Sequence, residues 1–200
     1  MILGVDVGRR RGPAALAVVD GFDILHLERV LGPSYPRLAE RVAVLLAQLP
    51  AARPGGVGRR PACAAGGYAG RTRAEVAAVR ATPVVVDATG DGRAVVDLLE
   101  ALHLTPVAAT LTGGGKPRVS GREVSLPRRV LFRPLRAALE VGRLRVAEGC
   151  PYRAELEREL LAARGGPAGA ESRTRDAHGG LTVAVSLCLW WQALARLSLR

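Results

Sequence analysis

Two short apolar segments, each carrying one aspartate, constrain the fold of this chain more than any other feature. Asp6 lies in the middle of the first segment, ILGVDVG, and Asp87 ends the second, PVVVD. A carboxylate among apolar strand residues is costly to bury unless it binds a partner. In α/β sheets, ligand sites gather at the carboxyl ends of the strands. We therefore expect both segments to be core strands and both aspartates to serve a site.

The chemistry of the pair follows from its oxygen atoms. If the two strands are neighbours, the carboxylates of Asp6 and Asp87 converge and offer the ligands that Mg²⁺ or Mn²⁺ prefers. Two such ions, about 4 Å apart, activate a water molecule and stabilise the leaving oxygen in phosphodiester cleavage. Two other interpretations stay open: an actin-like phosphate loop, and a purely local arrangement in which Asp87 caps the next helix and Asp6 is hydrogen-bonded nearby.

The order of the other segments predicts a mixed α/β fold. Three strands come first as an antiparallel meander, and strands and helices then alternate. The predicted strands cover residues 2–7, 14–20, 24–30, 83–87 and 107–112. The predicted helices cover residues 35–49, 72–80, 93–102, 127–141 and 152–163, with a last apolar helix from about residue 181. A hairpin over residues 119–126 and a short strand over residues 144–147 complete the pattern.

These elements predict a single domain over residues 1–200 with a five-stranded mixed sheet flanked by helices. Residues 51–71 are rich in Gly, Pro, Ala and Arg without any period, and we expect a flexible insert there. The last apolar helix is interrupted by polar residues and is shorter in its unbroken part than the roughly 20 residues of a membrane span. It is therefore expected to be a buried helix, and no membrane association is expected.

The charge of the chain indicates a polyanionic partner. The formal net charge is +11, with 29 Lys+Arg against 18 Asp+Glu, and Lys116 is the only lysine. A GC-rich genome would explain arginine in place of lysine, but not the excess of positive over negative charge. Nucleic acid is the leading partner class.

The cysteines and the amino terminus indicate a cytoplasmic protein. Cys63, Cys150 and Cys188 are widely spaced and form no C-x-x-C pair, so neither a disulfide framework nor a zinc site is expected. The start, MILGVDVGRRR, places its charge after a short apolar run, the reverse of a secretory signal. The segment GGGKPR does not satisfy the Walker A pattern, so no nucleotide cofactor is expected.

Four motifs occur in the order and spacing of one known family. They are GVDVGRRRGPAALAVVD, VVVDATGDGRAVVDLL, the segment from LPRRVLFRPLRAALEVGRLRVA through LERELLA, and DAHGGLTVAVSLCLWW. With them the chain resembles the nuclease domain of the large terminase subunit of tailed bacteriophages, a ribonuclease H-like fold that cuts DNA during genome packaging. The resemblance covers nearly the whole chain except residues 51–71.

The resemblance implies specific roles. Asp6 would be the first catalytic metal ligand, and Asp87, within V-x-D-x-T-G-x-G, the second. The arginine-rich helix from Pro127 would lie against the active-site face, and Glu159 with Leu160 matches a glutamate-leucine pair at the end of a helix. The implied partners are double-stranded DNA and a separate packaging ATPase or portal, in a bacterial host cell. The candidate DNA-contacting residues are Arg9, Arg10, Arg11, Lys116, Arg118, Arg128 and Arg129.

The chain departs from the family where a third acid is expected. Members commonly have an aspartate in place of Gly12, and they carry His-Asp-Asp-Leu where residues 178–181 read HGGL. Glycine has no side-chain ligand, and fewer carboxylates mean weaker binding of hard cations. Asp176 and His178 are the candidate substitutes because each lies within three residues of the missing position.

Three functional hypotheses follow from this pattern. The first is a terminase-like two-metal DNA endonuclease with catalysis impaired by the missing acid. The second is a non-catalytic DNA-binding or structural remnant with the same fold. The third is a Holliday-junction resolvase-like nuclease, which the segment from Pro127 to Leu160 fits less well.

Overall fold

The computed structural model describes residues 1–8, 12–32, 34–49, 82–164 and 179–198. Within them the chain forms eight strands and six helices. The strands are β1 (Ile2–Asp6), β2 (Ala14–Asp20), β3 (Asp23–Val30), β4 (Val84–Asp87), β5 (Val107–Thr112), β6 (Arg118–Ser120), β7 (Glu123–Pro127) and β8 (Arg145–Val146). The helices are α1 (Tyr35–Gln48), α2 (Gly92–Ala101), α3 (Arg128–Leu131), α4 (Arg133–Glu140), α5 (Arg153–Arg164) and α6 (Gly180–Ser198).

The strands form one mixed sheet in the order β6-β7-β5-β4-β1-β2-β3-β8. The first three strands are the antiparallel meander that the sequence predicts. Strand β4 then pairs parallel with β1, and β5 pairs parallel with β4. The prediction of five strands in the sheet was wrong. The hairpin β6–β7 and the short β8 extend the sheet at its two ends, because edge strands β5 and β3 offer unpaired backbone groups.

Side-chain alternation along the central strands builds a core on each face of the sheet. Leu3 and Val5 of β1 point to the face that α1 and α2 cover, together with Val84 and Val86 of β4. The opposite face carries Val85 and packs against α4 and α6. Successive residues of a strand point to opposite faces. The domain therefore has three layers, with helices on both sides of the sheet.

Helix α6 is the central element of the second core. Its residues from Leu181 to Trp190 are buried, in agreement with the predicted buried helix. The helix lies so close to β1 that a Cβ on Gly4 would overlap the carbonyl oxygen of Ala184. Among the described residues, no helix combines the length and the hydropathy that crossing a membrane requires.

Two element boundaries differ from the sequence prediction. Strand β1 ends at Asp6, not Val7, because the chain turns at Gly8, whose φ of +70° favours glycine. The helix predicted over residues 127–141 is two helices, α3 and α4, which meet at Phe132. Pro134 lacks an N–H and cannot continue the hydrogen-bond pattern from α3. The predicted insert (51–71) and helix (72–80) lie outside the described residues.

Candidate metal centre

Asp6 and Asp87 end two neighbouring parallel strands. In the β1–β4 pair, Gly4 lies opposite Val85 and Val5 opposite Val86. Continuing this register by one residue places Asp6 beside Asp87. Adjacent strands lie about 4.8 Å apart, and these two residues occupy the same face of the sheet by alternation. The predicted convergence of the two strand ends is therefore present in the fold.

The turn after β4 holds Asp87 in place. Its side chain is 9 % exposed, and Oδ1 accepts a hydrogen bond of 2.9 Å from the backbone N–H of Thr89. The hydroxyl of Thr89 in turn accepts a hydrogen bond from the backbone N–H of Leu111 in β5, at 2.8 Å. A Cβ on Gly92 would overlap the carbonyl oxygen of Asp87, so only glycine lets α2 begin this close to the strand end. The segment D-x-T-G-x-G thus orients the carboxylate through its backbone.

The alternative interpretation, in which Asp87 is the cap residue of the next helix, does not match the helix boundary. The residue that precedes α2 is Asp91, and its side chain makes no capping hydrogen bond. Asp87 instead bonds the N–H two residues ahead, inside the turn. Its carboxylate therefore stays at the strand end, next to Asp6.

The pKa of Asp6 is shifted in this site. Burial raises its pKa, and so do the nearby negative charges of Asp87 and Glu159, to about 7. A hydrogen bond from the backbone N–H of Gly8 and the positive charge of Arg128 act in the opposite direction. Two carboxylates this close repel each other, and a bound cation would relieve that repulsion. A positive charge next to Asp6 and Asp87 would therefore be stabilised electrostatically.

A third carboxylate, Glu159 of α5, reaches the same region. Its side chain is 10 % exposed and forms an ion pair with Arg29 of β3. Oε2 accepts hydrogen bonds from the backbone N–H and the hydroxyl of Thr182, at 2.8 and 3.0 Å. In sequence, Glu159 matches a family motif without an assigned role in the site. The available signal was the pair of glycines at 179 and 180, which leave the first turn of α6 without a capping side chain.

The described basic residues that were predicted to contact DNA lie in two places, near Asp6 and around the turn before β6. Arg128, at the start of α3, lies near enough to Asp6 for its positive charge to lower the pKa of that carboxyl. Arg129 donates to the carbonyl oxygen of Gly115 at 3.4 Å. Lys116 and Arg118 are exposed, in the turn before β6 and in β6 itself. The predicted contacts Arg9, Arg10 and Arg11 lie outside the described residues.

The predicted substitutes for the third acid, Asp176 and His178, also lie outside the described residues. Within the parts of the chain that the structure describes, no three His, Cys, Asp or Glu side chains are grouped closely enough to hold a metal ion. Cys150 and Cys188 are free and buried, so they form no disulfide. Asp6 and Asp87 are therefore the described carboxylates whose fit to a cation is considered next.

The donor chemistry of this pair fits a hard divalent cation. Both side chains offer carboxylate oxygens, which Mg²⁺ and Mn²⁺ prefer. Mg²⁺ is commonly bound by one or two carboxylates and keeps several waters. Burial, and after it the negative charge of Asp87, raises the pKa of Asp6 to about 7, and a cation bound beside both carboxylates would lower it. The residues present therefore fit the ion.

Comparison with solved structures identifies the fold. The large terminase nuclease from thermophilic phage G20c with bound zinc aligns with a TM-score of 0.54, over 96 % of this chain and 80 % of that chain. This chain has the large terminase nuclease fold. The magnesium-bound and cobalt-bound structures of the same nuclease align over the same shares, with TM-scores of 0.54 and 0.55. Sequence identity is 18 % in all three cases.

The terminase nuclease fold confirms the ribonuclease H-like α/β architecture that the resemblance implied. At this level of identity the likeness concerns the fold and not the activity. No protein-family model matches the chain, and no curated protein matches it. The activity therefore has to be argued from the residues of the site.

Proposed function

We propose that this chain is a terminase-like, divalent-metal-dependent DNA endonuclease domain of phage or prophage origin with weakened catalysis. The observation that carries the proposal is the convergence of Asp6 and Asp87 at neighbouring strand ends, with the pKa of Asp6 raised to about 7. Solved structures of the same fold contain zinc, magnesium and cobalt, which supports a divalent ion. Magnesium or manganese is the ion that an all-oxygen ligand pair favours.

The residues of the site have distinct roles in this proposal. Asp6 must release its proton to bind a cation, and its raised pKa makes that release dependent on pH near neutrality. Asp87 is held ready by the N–H of Thr89. When bound, the cation supplies Lewis acidity that activates water and offsets charge on the phosphate. Arg128 adds a positive charge beside Asp6, where a phosphate would approach.

DNA is the proposed substrate because the chain carries an excess of positive charge and Arg128 brings one such charge near Asp6. Arg128 and Arg129 begin α3, Arg129 donates to the carbonyl oxygen of Gly115, and Lys116 and Arg118 follow in the same turn and in β6. Contacts from such side chains bind phosphates without reading sequence. A separate packaging ATPase or portal remains a predicted partner, and the bacterial cytoplasm remains the predicted location.

We expect weakened catalysis because this site has fewer carboxylates than the resemblance implies. The resemblance expects acids at the positions of Gly179 and Gly180, and neither glycine offers a ligand atom. The same observation favours a second candidate function, DNA binding without cleavage. The two candidates differ only in whether the cation held by Asp6 and Asp87 supports hydrolysis.

One cleavage experiment distinguishes these functions. Purified protein is incubated with supercoiled DNA, linear DNA and a four-way junction, in Mn²⁺ and in EDTA. Asp6→Ala is the test variant. Asp97→Ala, which removes an exposed aspartate of α2, is the matched control.

We expect slow Mn²⁺-dependent cleavage of duplex DNA that Asp6→Ala abolishes and Asp97→Ala retains. Binding of DNA without any cleavage supports the second candidate. Cleavage confined to the junction supports a resolvase-like enzyme. Cleavage that persists in Asp6→Ala contradicts the proposed site.

A further inference from the structure

Glu159 caps a helix to which it does not belong. Thr182 is the third residue of α6, and its backbone N–H donates to Glu159 Oε2 at 2.8 Å. A residue at the helix N-cap position usually accepts this bond through its own side chain. Here the position is Gly179, which has none. The carboxylate comes instead from α5, and its negative charge also suits the amino end of a helix.

The volume occupied by Glu159 is the volume that a side chain at position 179 needs. A Cβ on Gly179 would overlap the Cδ, Oε1 and Cγ atoms of Glu159. Glu159 cannot simply swing away, because Arg29 pairs with one carboxylate oxygen and Thr182 bonds the other. A side chain at 179 and the present position of Glu159 therefore exclude each other.

The first turn of α6 also touches the metal centre. A Cβ on Gly180 would lie 2.8 Å from Asp6 Oδ2 and 3.2 Å from the Cβ of Ala15. Glu159 fixes the turn through Thr182, two residues further on. The position of Asp6 relative to α6 is thus set by a carboxylate on a third element.

We propose that Glu159 is a positioning residue of the Asp6–Asp87 centre, which holds the amino end of α6 against Asp6 from the place that a side chain at position 179 would otherwise fill. The inference rests on the proposed function in its metal-binding part. It also has a purely structural part, since the exclusion between Glu159 and a residue at 179 holds without any metal. An aspartate restored at 179 alone will therefore damage the site and not complete it.

A double-mutant cycle tests both parts on the full chain. The variants are Glu159→Ala, Gly179→Asp and their combination. Glu157→Ala combined with Gly179→Asp is the matched control, because Glu157 is an exposed glutamate of the same helix that pairs only with Arg153 in the described residues. The readouts are the melting temperature in EDTA and the Kd for Mn²⁺ by titration calorimetry.

We expect each single variant to melt below the parent and to bind Mn²⁺ about tenfold more weakly, as is typical when a residue that supports metal ligands is lost. The combined Glu159→Ala, Gly179→Asp variant should recover both values, because the introduced aspartate then has room and can cap Thr182 itself. The Glu157→Ala, Gly179→Asp control leaves Glu159 in place. Its melting temperature and its affinity for Mn²⁺ should therefore be as low as those of Gly179→Asp. Glu159→Gln keeps an oxygen for Thr182, so it should remain folded with a smaller loss of Mn²⁺ affinity.

Several results would overturn the inference. An unchanged melting temperature for Gly179→Asp would show that a side chain at 179 and Glu159 can coexist. The same conclusion would follow if the double variant melted no higher than the less stable single variant. Glu159→Ala that is folded and binds Mn²⁺ as the parent does would refute the positioning role. Failure of the parent itself to bind Mn²⁺ would refute the proposed function together with the metal-binding part, while the cycle in EDTA still decides the structural part.

Discussion

Replacing Asp6 by asparagine should stabilise the metal-free protein at alkaline pH. Asparagine has nearly the same shape and can still accept the hydrogen bond from the N–H of Gly8. It lacks the charge that is desolvated at this position and repelled by Asp87 and Glu159. A residue that binds a cation is thus expected to destabilise the fold when the cation is removed.

The size of the expected stability gain follows from the pKa of Asp6, which rises from an ordinary value of 3.8 to about 7 in the folded chain. Below pH 3.8 both the folded and the unfolded states hold the proton, so Asp6 does not affect stability. Between pH 3.8 and 7 only the unfolded state is largely ionised, and the free energy of unfolding falls as pH rises. Above pH 7 the destabilisation is complete, at about 4 kcal/mol. Local relaxation will reduce it, so we expect a gain of about 2 to 4 kcal/mol for Asp6→Asn at pH 8.

Urea denaturation in EDTA at pH 5, 6, 7 and 8 measures this effect. The advantage of Asp6→Asn over the parent should be larger at pH 8 than at pH 5 by about 2 kcal/mol, since the destabilisation is still incomplete at pH 5. Adding Mn²⁺ at pH 8 should stabilise the parent but not the variant. Asp97→Asn, at an exposed position, should match the parent throughout.

An Asp6→Asn variant that is less stable than the parent at pH 8 in EDTA would refute the predicted cost of the buried charge. So would an advantage that is the same at pH 5 and pH 8. Either result would mean that Asp6 is an ordinary, solvated carboxylate, and the electrostatic argument for a cation at this point would be lost.

Three further predictions concern the neighbours of Asp6. Asp87→Asn removes a repelling charge and should lower the pKa of Asp6 in an NMR titration of the metal-free protein; a pKa still near 7 would contradict the coupling. Gly4→Ala places a Cβ against the Ala184 carbonyl and should reduce the free energy of unfolding by about 2 kcal/mol or more in urea; unchanged stability would mean that α6 is not so close to β1. Arg128→Gln should weaken DNA binding and lower the slope of log Kd against log salt by about one; an unchanged slope would place the phosphates elsewhere.

The strand pattern made much of the site predictable. Asp6 lies within one run of apolar residues and Asp87 ends another, and such runs are typical of strands buried in the centre of a sheet. Period-two alternation then fixes the face on which each carboxylate lies, once the runs are recognised as strands. The motif D-x-T-G-x-G likewise carries its function locally, because Thr89 bonds Asp87 from two residues away.

Other features depended on contacts between distant segments. The sequence predicted five strands in the sheet, because nothing local shows that β7 pairs with β5 or that β8 pairs with β3. The sequence predicts a short strand over residues 144–147, where β8 lies, but not the strand with which it pairs. The strand geometry of β8 depends on the edge strand that pairs with it.

The role of Glu159 is the clearest case of a feature that tertiary structure alone decides. In sequence it is one of several glutamates on an ordinary amphipathic helix, 20 residues before the glycine whose place it fills. The glycines at 179 and 180 look like missing acids when they are read along the chain. Read in space, Gly179 leaves room for a carboxylate from α5, and Gly180 lets α6 begin against Asp6. The sequence by itself determined that both aspartates lie on core strands, because alternation and burial are local properties. That Glu159 holds the start of α6 near them depends on the packing of α5 against α6, and packing between helices is not encoded in any single segment.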